Sequence, residues 1–210
     1  MEISQEALFL AIAVYIAGFL LIILNPVIQN VILTYFVMAT FSLVIIEAIH
    51  EERARKVPME NIFKAMFWSF LNMSIIALFF SKLHTILLYI IQAPLVEPAE
   101  IIAFAFVVGF CETMFYIGLA FALRSLLVER YGKKVLGEFT FFAIAILFAF
   151  FFAIFHIRSY GFKLFFTLQP FIAGLINILI ARYYRNYVGI ALGHALTDAF
   201  LILSASLSAM

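Results

Sequence analysis

Charge is what this chain has least of. Only 12% of its 210 residues are Asp, Glu, Lys or Arg, too few to cover the surface of a water-soluble domain. Those charges sum to +1, which gives no sign of the basic footprint that nucleic-acid binding leaves. Cysteine occurs once, as Cys111, so neither an internal disulfide nor a cysteine metal cage is open to the chain. The first six residues, Met-Glu-Ile-Ser-Gln-Glu, hold no basic side chain. The apolar run that follows therefore reads as a retained helix rather than a cleaved signal peptide. Also missing are the apolar–polar alternation of a membrane β-strand, internal repeats and low-complexity linkers.

What fills the chain instead is apolar bulk. Hydrophobic residues make up 67%, 27 of them phenylalanine, and the mean hydropathy is +1.16. The apolar runs are continuous, and in lipid only a helix satisfies its own backbone within one such run. The expected fold is all-α: a polytopic transmembrane bundle of about seven helices forming one integral membrane domain over residues 1–210. The spans are placed at residues 7–24, 27–46, 62–80, 100–123, 139–157, 162–181 and 187–207. Asn25-Pro26 separates the first two. A polar loop through Glu51, Glu52, Arg53, Arg55, Lys56 and Pro58 follows the second. Residues 83–91 are too short to cross alone and read as an extension of the third span or an interfacial segment.

Basic residues set the expected orientation. With the N-terminus in the cytoplasm, the inner loops hold ten of the 13, from Arg53 to Arg185, and the outer loops only Lys82, Arg158 and Lys163. That bias predicts a multi-pass protein of the cell membrane with a cytoplasmic N-terminus. The run Arg182-Tyr183-Tyr184-Arg185 resembles an interfacial belt and marks a span boundary.

Against this background four polar side chains stand out: Glu112, His156, His194 and Asp198. Burying such a group at membrane depth costs about 2.5–3.5 kcal/mol on insertion scales, so it marks a site where several face a bundle interior. Glu112 lies about thirteen residues, roughly 20 Å, into the fourth span. His194 and Asp198 are four apart and share a helix face. His156 sits near the outer end of its span, several ångströms from the depth expected of Glu112. Their meeting requires His156 to reach inward or its helix to continue past Tyr160.

The stretches around these residues are Glu112-Thr-Met-Phe-Tyr-Ile-Gly118, Phe152-Ala-Ile-Phe-His156 and His194-Ala-Leu-Thr-Asp198. In order, interval and placement on successive helices they resemble the CAAX prenyl protease and bacteriocin-processing family (CPBP, also called ABI), marked by EExxxR, FxxxH and HxxxN or HxxxD. The resemblance covers roughly residues 99–205. It implies an intramembrane endopeptidase that cuts a membrane-associated peptide, for instance a prenylated CAAX tail. It assigns water activation to Glu112 helped by His156, and oxyanion stabilisation to His194 with the residue at Asp198. The chain departs from the motif at Thr113, where the second glutamate belongs, and at Ile117, where the arginine belongs. Phe115, Tyr116 and Gly118 fit, and Tyr116, one turn on, is a candidate partner for Glu112.

Other readings of the same residues stay open at this stage. Two imidazoles and a carboxylate suit catalytic zinc, although no HExxH pair exists, and the expected site has no cofactor. Glu112 could instead be a packing acid bonded to Tyr116 or Asn177, His156 an interfacial histidine, and His194–Asp198 an interhelical hydrogen bond. The departures at Thr113 and Ile117 would suit a non-proteolytic scaffold or a self-immunity relative. A proton-coupled carrier would use intramembrane acids and histidines too, but carriers show paired halves, and none is visible. His50, His84 and Glu51-Glu52 read as solvated. Asn72, Gln92, Asn177 and Gln169-Pro170 read as polar packing. Cys111 has no histidine nearby in the chain to make it a nucleophile.

Overall fold

The computed structural model describes residues 59–80, 98–132, 137–157 and 164–208. They form α1 (Met59–Phe80), α2 (Pro98–Tyr131), α3 (Glu138–His156), α4 (Leu164–Tyr184) and α5 (Tyr187–Ser208), with no strand among the described residues. These helices correspond to the third through seventh expected spans. The first two spans, residues 83–91, and His50, His84, Gln92, Glu51 and Glu52 lie outside the described residues. The all-helical class holds among the described residues, which contain five helices. Among the described residues one stretch, Asn61–Phe80, is long and apolar enough to cross a bilayer; those of α2, α3 and α5 (Val108–Phe121, Phe139–Ile154 and Tyr187–Leu201) are shorter. In α2 the turns carrying Arg124, Glu129 and Arg130 are too polar to prolong the apolar stretch.

Helix ends fall within three residues of expectation, except that α2 continues to Tyr131 rather than stopping at residue 123. Gly132 closes it. Its φ of 78° is the left-handed conformation that glycine adopts freely, and its N–H donates to the Val128 carbonyl at 2.8 Å. At the other marked boundary α4 ends at Tyr184 and Arg185 turns the chain at φ 53°. Asn186 then caps α5, its side-chain oxygen accepting from the Gly189 N–H at 2.8 Å.

The centre of the bundle is α2. Every residue from Cys111 to Phe121 is buried, on all sides of the helix, the pattern of a helix surrounded by others. Against α3 the contacts pair Phe121 with Phe141 and Tyr116 with Phe152. Against α5 they pair Phe121 with Tyr187 and Thr113 with His194. In both series one number rises as the other falls, so α3 and α5 run antiparallel to α2. Helix α4 runs antiparallel to α3, with Gly174 against Phe152 and Arg182 over the Phe141 ring at 4.1 Å. Outward lie large apolar side chains, among them Phe63, Phe67, Leu78, Phe79, Phe139 and Phe165.

Helix α1 packs parallel to α5 at very short range. A Cβ on Gly189 would meet the Ile62 carbonyl at 2.5 Å, and one on Gly193 would collide with the Met66 carbonyl. Gly189 and Gly193 form a small-xxx-small stripe against Ala65 and Ser69, the device by which helices without a hydrophobic drive between them bring backbones together. The approach lets Ser69 Oγ donate to the Ile190 carbonyl at 3.0 Å and Thr197 Oγ1 to the Phe70 carbonyl at 3.4 Å. Asn72 ties α1 to α4, donating to the Ala173 carbonyl at 3.1 Å and to Asn177 Oδ1 at 2.9 Å. The reading of Asn72 and Asn177 as packing residues is thereby met.

Gly193→Ala should destabilise the protein by about 1–3 kcal/mol, because the methyl group meets backbone that cannot rotate away. Gly137→Ala, with nothing within 4 Å of its added Cβ, should leave the unfolding midpoint in detergent unchanged or slightly raised.

Candidate active site

Helix length brings Glu112 and His156 to one level. Glu112 lies nineteen residues before the end of α2, and His156 eighteen residues after the start of α3. Two antiparallel helices that follow one another closely in the chain, with a common rise per residue, therefore reach the same height at those positions. The expected mismatch in depth came from ending the fourth span too early, and it disappears: His156 Nε2 is 3.7 Å from Glu112 Oε2. Helix α3 does not need to pass Tyr160; His156 is its last residue.

The orientation of His156 follows from its other nitrogen. Nδ1 lies 2.8 Å from the Phe152 carbonyl oxygen. A carbonyl only accepts, so Nδ1 carries the hydrogen and the neutral ring presents a bare Nε2 to Glu112. A carboxylate oxygen and an imidazole lone pair 3.7 Å apart can each accept one hydrogen of the same water molecule.

The second pair sits on α5. His194 Nε2 is 3.4 Å from Asp198 Oδ2, with the two residues one turn apart. Nδ1 is 2.6 Å from Thr113 Oγ1, so the residue next to Glu112 touches the ring directly. Asp198 has its own neighbour on α2: a Cβ on Gly109 would lie 2.6 Å from Oδ2. A methyl group there would force that carboxylate to shift and would also press on the Ala195 backbone at 3.1 Å. The inner members are almost dry, with Glu112 8% exposed and His194 3% exposed. The side chains of His156 and Asp198 are 22% and 29% exposed, so access lies on their side.

Phe152 joins the two halves. Its ring stacks on Tyr116 at 4.3 Å between centroids and lies edge-on to His156 at 4.6 Å and to His194 at 5.9 Å. A Cβ on Gly174 would come within 2.9 Å of it. The phenylalanine of FxxxH thus wedges both imidazoles while its carbonyl sets the tautomer of one. Tyr116 is fully buried, and its hydroxyl makes no hydrogen bond of ordinary geometry; the partnership with Glu112 suggested by helical spacing is not formed. Ile117 is wholly buried in the core, a place with no room for an arginine's charge. Cys111 is buried beside Glu112.

Glu112, Thr113 and His156 thus converge from α2 and α3, and His194 and Asp198 join them from α5. Among the described residues no three His, Cys, Asp or Glu side chains converge closely enough to hold a metal ion. Spacing alone did not reveal the Thr113 contact, the Gly109 approach or the Phe152 wedge. The Gly189/Gly193 repeat was the readable signal for the helix pairing behind them. Compared with known proteins, the chain matches no family model, no curated protein and no solved structure.

Phe152→Ala should cost about 3–5 kcal/mol through the cavity it leaves. Phe152→Leu should retain most of that stability, and unfolding midpoints in detergent measure both.

Proposed function

We propose that this protein is a multi-pass membrane endopeptidase of the CPBP type, which hydrolyses a peptide bond of a membrane-associated substrate with a water activated by Glu112 and His156. The observation that carries the reading is the 3.7 Å pairing of Glu112 with His156 Nε2, on a ring whose Nδ1 meets the Phe152 carbonyl. The membrane setting is supported by the apolar exterior, by the Asn61–Phe80 helix and by the excess of basic residues in one set of loops. We place the protein in the cell membrane with its N-terminus in the cytoplasm. Its partners are lipid and a peptide or protein anchored in lipid, of which a prenylated CAAX tail is one candidate.

In this mechanism the water gives one proton to the Glu112–His156 pair as its oxygen bonds to the scissile carbonyl carbon. The carbonyl oxygen becomes an oxyanion, which His194 stabilises by donating from Nε2. Asp198 orients that ring. When the carbon–nitrogen bond breaks, the proton held by the Glu112–His156 pair passes to the leaving amine. Near-complete burial of Glu112 and His194 removes competing water, which strengthens each of these interactions.

A scaffold or self-immunity role is favoured only by the replaced motif positions. Thr113 now has a contact of its own in the site, and Ile117 is packed as core. Installing glutamate and arginine there should therefore damage the fold rather than raise activity.

The test is cleavage of membrane-anchored reporter peptides, with and without a prenylated cysteine, by the protein in lipid vesicles. Glu112→Ala and His194→Ala should each lower kcat by about 100-fold or more while remaining inserted and folded. Full turnover in either variant overturns the mechanism. A wild-type protein that cuts no reporter, while binding one, points to the scaffold.

A further inference from the structure

The two imidazoles of the site receive different second partners, and the difference has a chemical consequence. His156 Nδ1 faces a carbonyl, whereas His194 Nδ1 faces a hydroxyl, Thr113 Oγ1, at 2.6 Å. A hydroxyl can donate or accept, so the state of His194 depends on which way that hydrogen points.

The far side of the ring decides it. There Nε2 faces the Asp198 carboxyl oxygen at 3.4 Å, the partner that an N–H suits. A neutral imidazole carries one hydrogen, so Nδ1 is left as an acceptor. Thr113 then turns its own hydrogen to His194 Nδ1.

We propose that Thr113 is a positioning residue whose hydroxyl, donating to Nδ1, holds His194 in the tautomer with its proton on Nε2. The site then presents two imidazoles in opposite states. His156 offers a bare Nε2 that takes a proton, and His194 offers an Nε2–H that steadies negative charge. The replacement of the motif's second glutamate is a change in how the ring is held, because a carboxylate at that position would call for a proton on Nδ1 instead. The catalytic meaning rests on the endopeptidase reading; the tautomer does not.

The experiment uses the full-length protein in lipid nanodiscs with ¹⁵N-labelled histidine rings. His194→Gln identifies the His194 signals among those of the four histidines in the chain. The expected wild-type spectrum gives His194 a protonated Nε2 and an unprotonated Nδ1. Thr113→Ser should keep that pattern, and Thr113→Val, equal in shape but without the hydroxyl, should shift it toward a mixture of tautomers. Where reporter cleavage is present, kcat should fall at least about tenfold in Thr113→Val with KM little changed, and recover in Thr113→Ser. The full loss of an oxyanion donor, about 10²–10³-fold, bounds the effect. A wild-type His194 protonated on Nδ1 overturns the proposal even if Thr113→Val fails to fold. So does a Thr113→Val spectrum identical to wild type. A hydroxyl-dependent tautomer in a protein that cuts no peptide would refute the endopeptidase reading and leave this one standing.

Discussion

Two consecutive residues of an α-helix point about 100° apart, and that divergence organises the site. Glu112 and Thr113 both belong to the buried heart of α2, and each needs a partner on a different side. Glu112 meets His156 from α3, and Thr113 meets His194 from α5. Neither α3 nor α5 alone could serve both. The site exists because α2 is enclosed by the two helices at the same level, with Phe152 filling the angle between them.

Enclosure of that kind makes each polar atom expensive unless it is matched. In the second half of the site each group has a counterpart: Thr113 for Nδ1 of His194 and Asp198 for Nε2. In the first half, His156 spends one nitrogen on a backbone carbonyl and keeps the other at 3.7 Å from the carboxylate. That separation is too long for a direct hydrogen bond, and it suits a pair that handles a third group between them. The small residues do the matching work in steric terms. Gly109 leaves room for Asp198, Gly174 admits Phe152, and Gly189 with Gly193 lets α1 close on α5.

Much of the helical layout was legible in the sequence because lipid-scale apolar runs broken by prolines and charges leave few choices. Four of the five described helices begin and end within three residues of expectation. The miss, at the end of α2, has a local cause: Arg124, Glu129 and Arg130 read as loop, yet the helix runs through them until Gly132 supplies the left-handed turn. That one error also produced the false depth gap between Glu112 and His156, since the register of a helix hairpin is counted from its turn. Tyr116 was misjudged for a related reason. Helical spacing puts it one turn from Glu112, but the ring is captured by Phe152 instead.

The sequence by itself determined the all-helical class of the described residues, the boundaries of their helices but one, and the identity of the costly polar residues, because hydropathy and the price of buried charge are properties of the residues themselves. Tertiary structure alone decided which of those residues meet, which group each histidine nitrogen faces, and what Thr113 touches. Those outcomes depend on the rotation and register of one helix against another. Rotation and register arise from packing between segments far apart in the chain, such as Gly109 against Asp198 and Phe152 against Gly174.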